Sequence, residues 1–138
     1  MLFIIECKTN DRNSSIEHRS NEIVSKILYD SVASTKIESD SLYITFQASF
    51  HNDTVKAMIG KTIIFKNIIS TDQSIGLAES IGIYKNQYVS NKDKCIQIII
   101  NNSTPIQVCN YNGYRFMLID KIENCLKIKL TNKIPYYK

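Results

Sequence analysis

Leu42-Tyr43-Ile44-Thr45-Phe46-Gln47-Ala48-Ser49-Phe50 alternates without a break, with Leu, Ile, Phe, Ala and Phe on one side of an extended chain and Tyr, Thr, Gln and Ser on the other. Side chains on a β-strand point to opposite faces in turn, so this stretch reads as a strand with one buried face. Glu38-Ser39-Asp40 before it has turn character, which predicts a hairpin between 33–37 and 42–50. The same reading gives short strands at 62–69, 79–84, 95–101, 105–109, 113–119 and 125–130. Turn residues separate them, among them Asn52-Asp53, Asp72-Gln73-Ser74, Asn101-Asn102-Ser103, Asn112-Gly113 and Glu123-Asn124. Many short strands at close intervals predict a small barrel or sandwich, mainly β.

Upstream the period changes. Ser14-x-x-Glu17 has the form of a capping box, and Ile16, Ile23, Val24, Ile27 and Leu28 recur at helical spacing. One N-terminal helix over about 15–30 is therefore expected, which makes the class α+β in detail. The chain has 138 residues, 43% hydrophobic and 22% charged, which fits one domain with a real core. A β-rich domain over 1–130 and an extended tail over 131–138 are predicted. No apolar run approaches the roughly 20 residues of a membrane-spanning helix. The start, Met1-Leu2-Phe3-Ile4-Ile5-Glu6, lacks the features of a secretory signal, so a cytoplasmic protein is expected.

Ile, Lys and Asn together supply 51 residues, as expected of an A/T-rich genome, and this warns against over-reading any single Asn or Lys. The sequons at Asn13, Asn52, Asn101 and Asn102 are read as chance, because no secretory signal is expected. Net charge is +4, and its placement is informative: residues 1–120 balance to zero, whereas 121–138 hold five Lys and one Glu. A basic end on a neutral body fits a docking tail for a polyanion, or simply a solvated end.

The four cysteines, Cys7, Cys95, Cys109 and Cys125, make no C-x-x-C pair and match no zinc spacing. Cys95, Cys109 and Cys125 each begin or end an apolar alternating segment and read as buried thiols in a reducing cytosol, and no metal site is expected. Gly60-Lys61-Thr62 ends like a phosphate-binding loop, but Val55 stands where that loop needs Gly, and a strand follows instead of a helix. His18 and His51 belong to no catalytic pattern, and His51 beside Asp53 reads as a polar turn. No enzyme, cofactor or small-molecule substrate is indicated.

The basic and aromatic residues carry more. In 125–130, Lys127 and Lys129 alternate with Leu126, Ile128 and Leu130, so both lysines face outward together. Lys133, Ile134, Pro135, Tyr136, Tyr137 and Lys138 then form an extended arm, because Pro135 fixes φ. Lysines neutralise phosphates and tyrosine faces stack on exposed bases, so this arm is a candidate RNA-binding element. Tyr84-Lys85 with Tyr88, and Tyr111 with Tyr114-Arg115, are weaker versions for which packing at the core edge is the simpler account.

Short segments in order resemble the Simiate family, also called the actin-binding transcription modulator family. They are Leu42-Tyr43-Ile44-Thr45-Phe46, Met58-Ile59-Gly60-Lys61-Thr62-Ile63, Ser80-Ile81-Gly82-Ile83-Tyr84-Lys85, Cys95-Ile96-Gln97-Ile98 and Gly113-Tyr114-Arg115-Phe116-Met117-Leu118-Ile119. The likeness covers about 31–134. It departs at Gln87, at Asn102-Ser103-Thr104-Pro105 and over the N-terminal segment.

The resemblance implies a small barrel-sandwich hybrid akin to lipoyl/biotinyl-carrier domains such as the glycine-cleavage H protein. Carrier activity does not follow, since Lys56-Ala57, the nearest candidate for modification, lacks the E-x-x-K-A context. A short microsporidian member of the family is a ribosome dormancy factor, similar in size and composition. By resemblance, the expected partner is the ribosome, both rRNA and ribosomal proteins of both subunits. Binding at the tRNA exit site by a monomer would then block translation. The alternative is a Simiate-like regulator that binds actin or the transcription machinery.

Overall fold

The computed structural model describes residues 23–30, 41–84, 95–111 and 113–135. Nine strands run through them: β1 (Val24–Tyr29), β2 (Ser41–Phe46), β3 (Asp53–Ile59), β4 (Thr62–Ile69), β5 (Glu79–Tyr84), β6 (Ile96–Ile100), β7 (Ile106–Val108), β8 (Phe116–Ile122) and β9 (Cys125–Thr131). They form a five-stranded sheet of order β1-β9-β8-β2-β5 and a four-stranded sheet of order β4-β3-β6-β7. The fold is mainly β, and no helix occurs among the described residues.

Period-two patterning explains the packing. From the five-stranded sheet, Leu42, Ile44, Phe46, Met117, Ile119, Leu126, Ile128 and Leu130 point inward; from the other, Val55, Ala57, Ile59, Ile96, Ile98 and Ile100 do so. All belong to one core cluster and are fully buried. Phe46 of β2 meets Phe65 of β4 in a stacked pair at 5.9 Å and Phe50 edge-on at 5.7 Å. At one end the sheets are also tied electrostatically: Lys121 Nζ on β8 lies 3.3 Å from Asp53 Oδ2 on β3. The Asp53 carboxylate also accepts the His51 backbone N–H (2.8 Å) and the Asn101 side-chain amide (2.6 Å), so this buried acid is fully partnered.

Turns fall where small polar residues permit left-handed backbone. Asn52, Asn101, Asn102 and Glu123 all have positive φ, as does Gly60 in the tight link between β3 and β4. Gly60-Lys61 is therefore a hairpin turn leading into a strand.

Three expectations need correction. Residues 24–29 are strand β1, not the second half of a helix over 15–30; residues 15–22 lie outside the described residues. Parallel pairing with β9 sets Ile27 beside Ile128, and this tertiary contact outweighs the local helical spacing. The strand expected over 42–50 stops at Phe46, with Ser49 at φ 69°, and its neighbours are β5 and β8; segment 33–37, its expected hairpin partner, lies outside the described residues. Strand β3 was hidden behind the Asn52-Asp53 turn, although Val55, Ala57 and Ile59 alternate inward.

The cysteines are the third correction. The antiparallel register of β6 with β7 pairs Ile96 with Val108, so Cys95 and Cys109 stand opposite just beyond. Their Cα atoms are 4.1 Å apart and they form a disulfide, and Cys125 is disulfide-bonded too. Sequence spacing carries no information on such a cross-strand neighbour.

The core account predicts that Ile98→Ala, at the centre of the four-stranded sheet, lowers unfolding free energy by about 2–5 kcal/mol. Urea titration followed by circular dichroism measures this, and a loss well under 1 kcal/mol would place Ile98 outside a packed core.

Candidate functional site

β8 sits in the middle of the five-stranded sheet, and its alternation decides what the outer face displays. Met117, Ile119 and Lys121 turn inward, so Phe116, Leu118 and Asp120 turn outward. Register then places Tyr43 and Thr45 of β2 beside Phe116 and Leu118, and Gly82 and Ser80 of β5 beyond them. On the other flank lie Lys127 and Lys129 of β9, then Lys26 and Leu28 of β1.

The aromatic part is a layered stack. Arg115 Cζ lies 5.4 Å from the centre of the Phe116 ring, and Phe116 stacks on Tyr43 with centroids 5.9 Å apart and planes at 28°. Tyr43 is 45% exposed, so part of its ring is accessible to a ligand. Its ring lies over Gly82: a Cβ there would stand 2.9 Å from Tyr43 Cε1. Glycine is used here for close approach, because φ at Gly82 is not in the left-handed region.

Beside the stack lies an open groove of about 290 Å³, floored by Tyr43, Thr45 and Phe116 and walled by Leu77, Ser80, Ile134 and Pro135. The C-terminal segment is aimed there by side-chain bonds. Asn132 Oδ1 accepts the Arg115 N–H (2.8 Å), its amide donates to Gly113 O (2.9 Å), and Lys133 N–H donates to Thr131 Oγ1 (3.0 Å). Thr131 in turn donates to Asp30 (2.6 Å).

The cationic flank is partly compensated. Lys129 Nζ lies 3.9 Å from Asp30 Oδ1. Asp120, beside Lys127, is engaged by the Ala48 N–H (3.1 Å) and the Gln47 amide (3.3 Å). Lys26 and Lys127 are direct neighbours across the β1–β9 pair, and both are exposed. Like charges placed side by side on one face are unfavourable, and a bound anion would relieve this pair.

Of the sequence-predicted residues, Lys127 and Lys129 share the outer face, while Ile134 and Pro135 wall the groove, with Lys133 leading into them. Tyr136, Tyr137 and Lys138 lie outside the described residues. Tyr111 and Tyr114 are core residues, 7% and 6% exposed; burial raises the Tyr111 phenol above its usual range, and the Tyr114 hydroxyl donates to Asp30 O. Tyr43 and Phe116 were missed. Tyr43 was legible as an outward position on the opening strand, but its pairing with Phe116 depends on a parallel contact between distant segments.

Among the described residues no cluster of His, Cys, Asp or Glu is suited to hold a metal ion, and no helix is long and apolar enough to cross a membrane. No family model, curated protein or solved structure matches the chain.

Gly82→Ala should push the Tyr43 ring off its seat while changing stability by less than about 1 kcal/mol, because alanine also relieves the entropic cost of a strand glycine. Ring-current shifts of the Phe116 protons in NMR spectra should change. Unaltered shifts would mean that Gly82 does not set the stack.

Proposed function

We propose that this chain is a non-enzymatic binding module that holds looped or single-stranded RNA on the outer face of its five-stranded sheet, and that the RNA belongs to the idle ribosome. The observation that carries the reading is the Arg115–Phe116–Tyr43 stack on the same sheet face as Lys129 and, further along it, Lys127 and Lys26. Stacking on an exposed ring with nearby cations for phosphates is how single-stranded nucleic acid is held.

As a dormancy factor, a monomer of this kind would occupy the tRNA exit site, bridge both subunits and block translation. Lys133, Ile134 and Pro135 would carry the tail from the groove toward a pocket made for a tRNA 3′ end, where Tyr136, Tyr137 and Lys138 would stack and neutralise phosphate. The resemblance to the Simiate family supports this assignment and a cytoplasmic location. It also supports a carrier-like barrel-sandwich as the finer architecture, for which two short-stranded sheets around one core are the structural support.

The cysteines favour a second reading. Disulfides persist in oxidising compartments and are rare in the cytosol. With Cys95–Cys109 and Cys125 oxidised, the same aromatic face would serve a protein partner outside the reducing cytosol. Regulators of actin or transcription share the reducing compartment with ribosomes, so the disulfides do not favour that alternative.

Two measurements separate these readings. In a sucrose gradient of native lysate, the protein should co-migrate with whole monosomes and leave them at high salt, as phosphate contacts require. Joint Tyr43→Ala and Arg115→Ala substitution should move it to the top at low salt. Migration of the unsubstituted chain at the top, with ribosomes intact and salt low, contradicts ribosome binding. Secondly, rapid alkylation of intact cells followed by mass spectrometry should find Cys95 and Cys109 alkylated if the protein works in the cytosol. Protection of both as a disulfide supports the second reading.

A further inference from the structure

The four-stranded sheet has its own outer face and, among the described residues, a long edge with no further strand on it, both remote from the aromatic stack. β4 spans eight residues, and its strand neighbour among the described residues is β3 alone. A strand in this position carries a row of main-chain donors and acceptors without a ladder. At Ile68 the backbone N–H is met by the side-chain Oδ1 of its own neighbour Asn67, at 2.9 Å. That bond satisfies the N–H locally, in place of a ladder partner among the described residues.

The side chains along this edge have a definite chemistry. Register sets Ile63 beside Met58, Lys66 beside Lys56 and Ile68 beside Thr54 on the outward face. Ile63 and Ile68 are 50% and 62% exposed, and Lys61 in the adjoining turn is exposed as well. The outward positions of β3, β6 and β7 add Ile99, Gln97 and Gln107. None of the outward positions on this sheet is Asp or Glu. Among the described residues the outward face along this edge is therefore apolar and cationic, with no carboxylate of its own.

We propose that β4 is a docking edge for an extended acidic segment of a partner protein, which adds as a further strand to the four-stranded sheet. Main-chain hydrogen bonds along β4 supply the affinity, carboxylates beside Lys61 and Lys66 supply the charge match, and alternate apolar side chains cover Ile63 and Ile68. A second copy of this chain fits poorly, because pairing β4 with itself brings lysines together. Lysines on an edge strand also guard against indiscriminate pairing. Here the same guard becomes a selector: it rejects neutral and basic strands and admits an acidic one.

The test is fluorescence anisotropy of a labelled peptide of alternating Glu and Val, matched in length to β4, titrated with the full chain at low salt. The expected result is saturable binding, with a peptide of alternating Lys and Val failing to bind. Ile68→Pro removes an N–H that Asn67 already occupies and blocks the edge, so binding should vanish while the far-ultraviolet circular dichroism spectrum is kept. Lys66→Glu should weaken binding by roughly tenfold or more. A peptide N-methylated at alternate residues should not bind the unsubstituted protein, which keeps the test independent of how any variant folds. Absence of binding, equal binding by the N-methylated peptide, or equal binding by a folded Ile68→Pro protein would overturn the proposal. So would a concentration-dependent dimer in analytical ultracentrifugation that Ile68→Pro abolishes, because the edge would then belong to a second copy.

Discussion

The two-residue alternation of β8 is the constraint on which both the core and the candidate site depend. Met117 and Ile119 fill the interior, and Phe116 and Leu118 therefore face out. A slip of one residue would exchange the two sets, exposing the core residues and burying the stack. The parallel contact with β2 and the antiparallel contact with β9 fix that register from both sides. Packing energy thus pins the position of the Arg115–Phe116–Tyr43 stack, although none of the three side chains belongs to the core cluster.

Polar contacts locate the elements that the core does not reach. The segment after β9 is held by Asn132 against Gly113 and Arg115, so the chain that follows β9 is delivered to the groove beside Phe116. At the opposite end of β8, Lys121 reaches Asp53 between the sheets. Asn132 joins the chain after β9 to the segment that leads into β8, and the Lys121–Asp53 pair joins strands of the two sheets. These contacts explain why the polar turns rich in Asn are structural parts and not only connectors.

Much of the strand content was legible because half-buried strands write their period into the sequence. The segments at 62–69, 79–84 and 125–130 match β4, β5 and β9 closely. The outward pair Lys127 and Lys129 was legible on the same ground. Three of the failures share one cause, a contact between distant segments. β1 looked helical because Ile23, Ile27 and Leu28 also satisfy a helical spacing, and only the distant β9 selects the extended form. Cys95 and Cys109 looked like separate thiols because their meeting depends on the β6–β7 register. The aromatic stack was invisible because it joins side chains from β2 and β8, which local sequence does not connect.

The central claim is that the outer face of the five-stranded sheet meets ribosomal RNA. Its most direct test replaces Tyr43 with a photo-reactive phenylalanine analogue, irradiates native lysate and sequences the captured RNA. The account predicts cross-links to rRNA at position 43, and none when the analogue replaces Ile68 on the other sheet. Cross-links from position 43 to protein alone, with ribosomes intact, would contradict it.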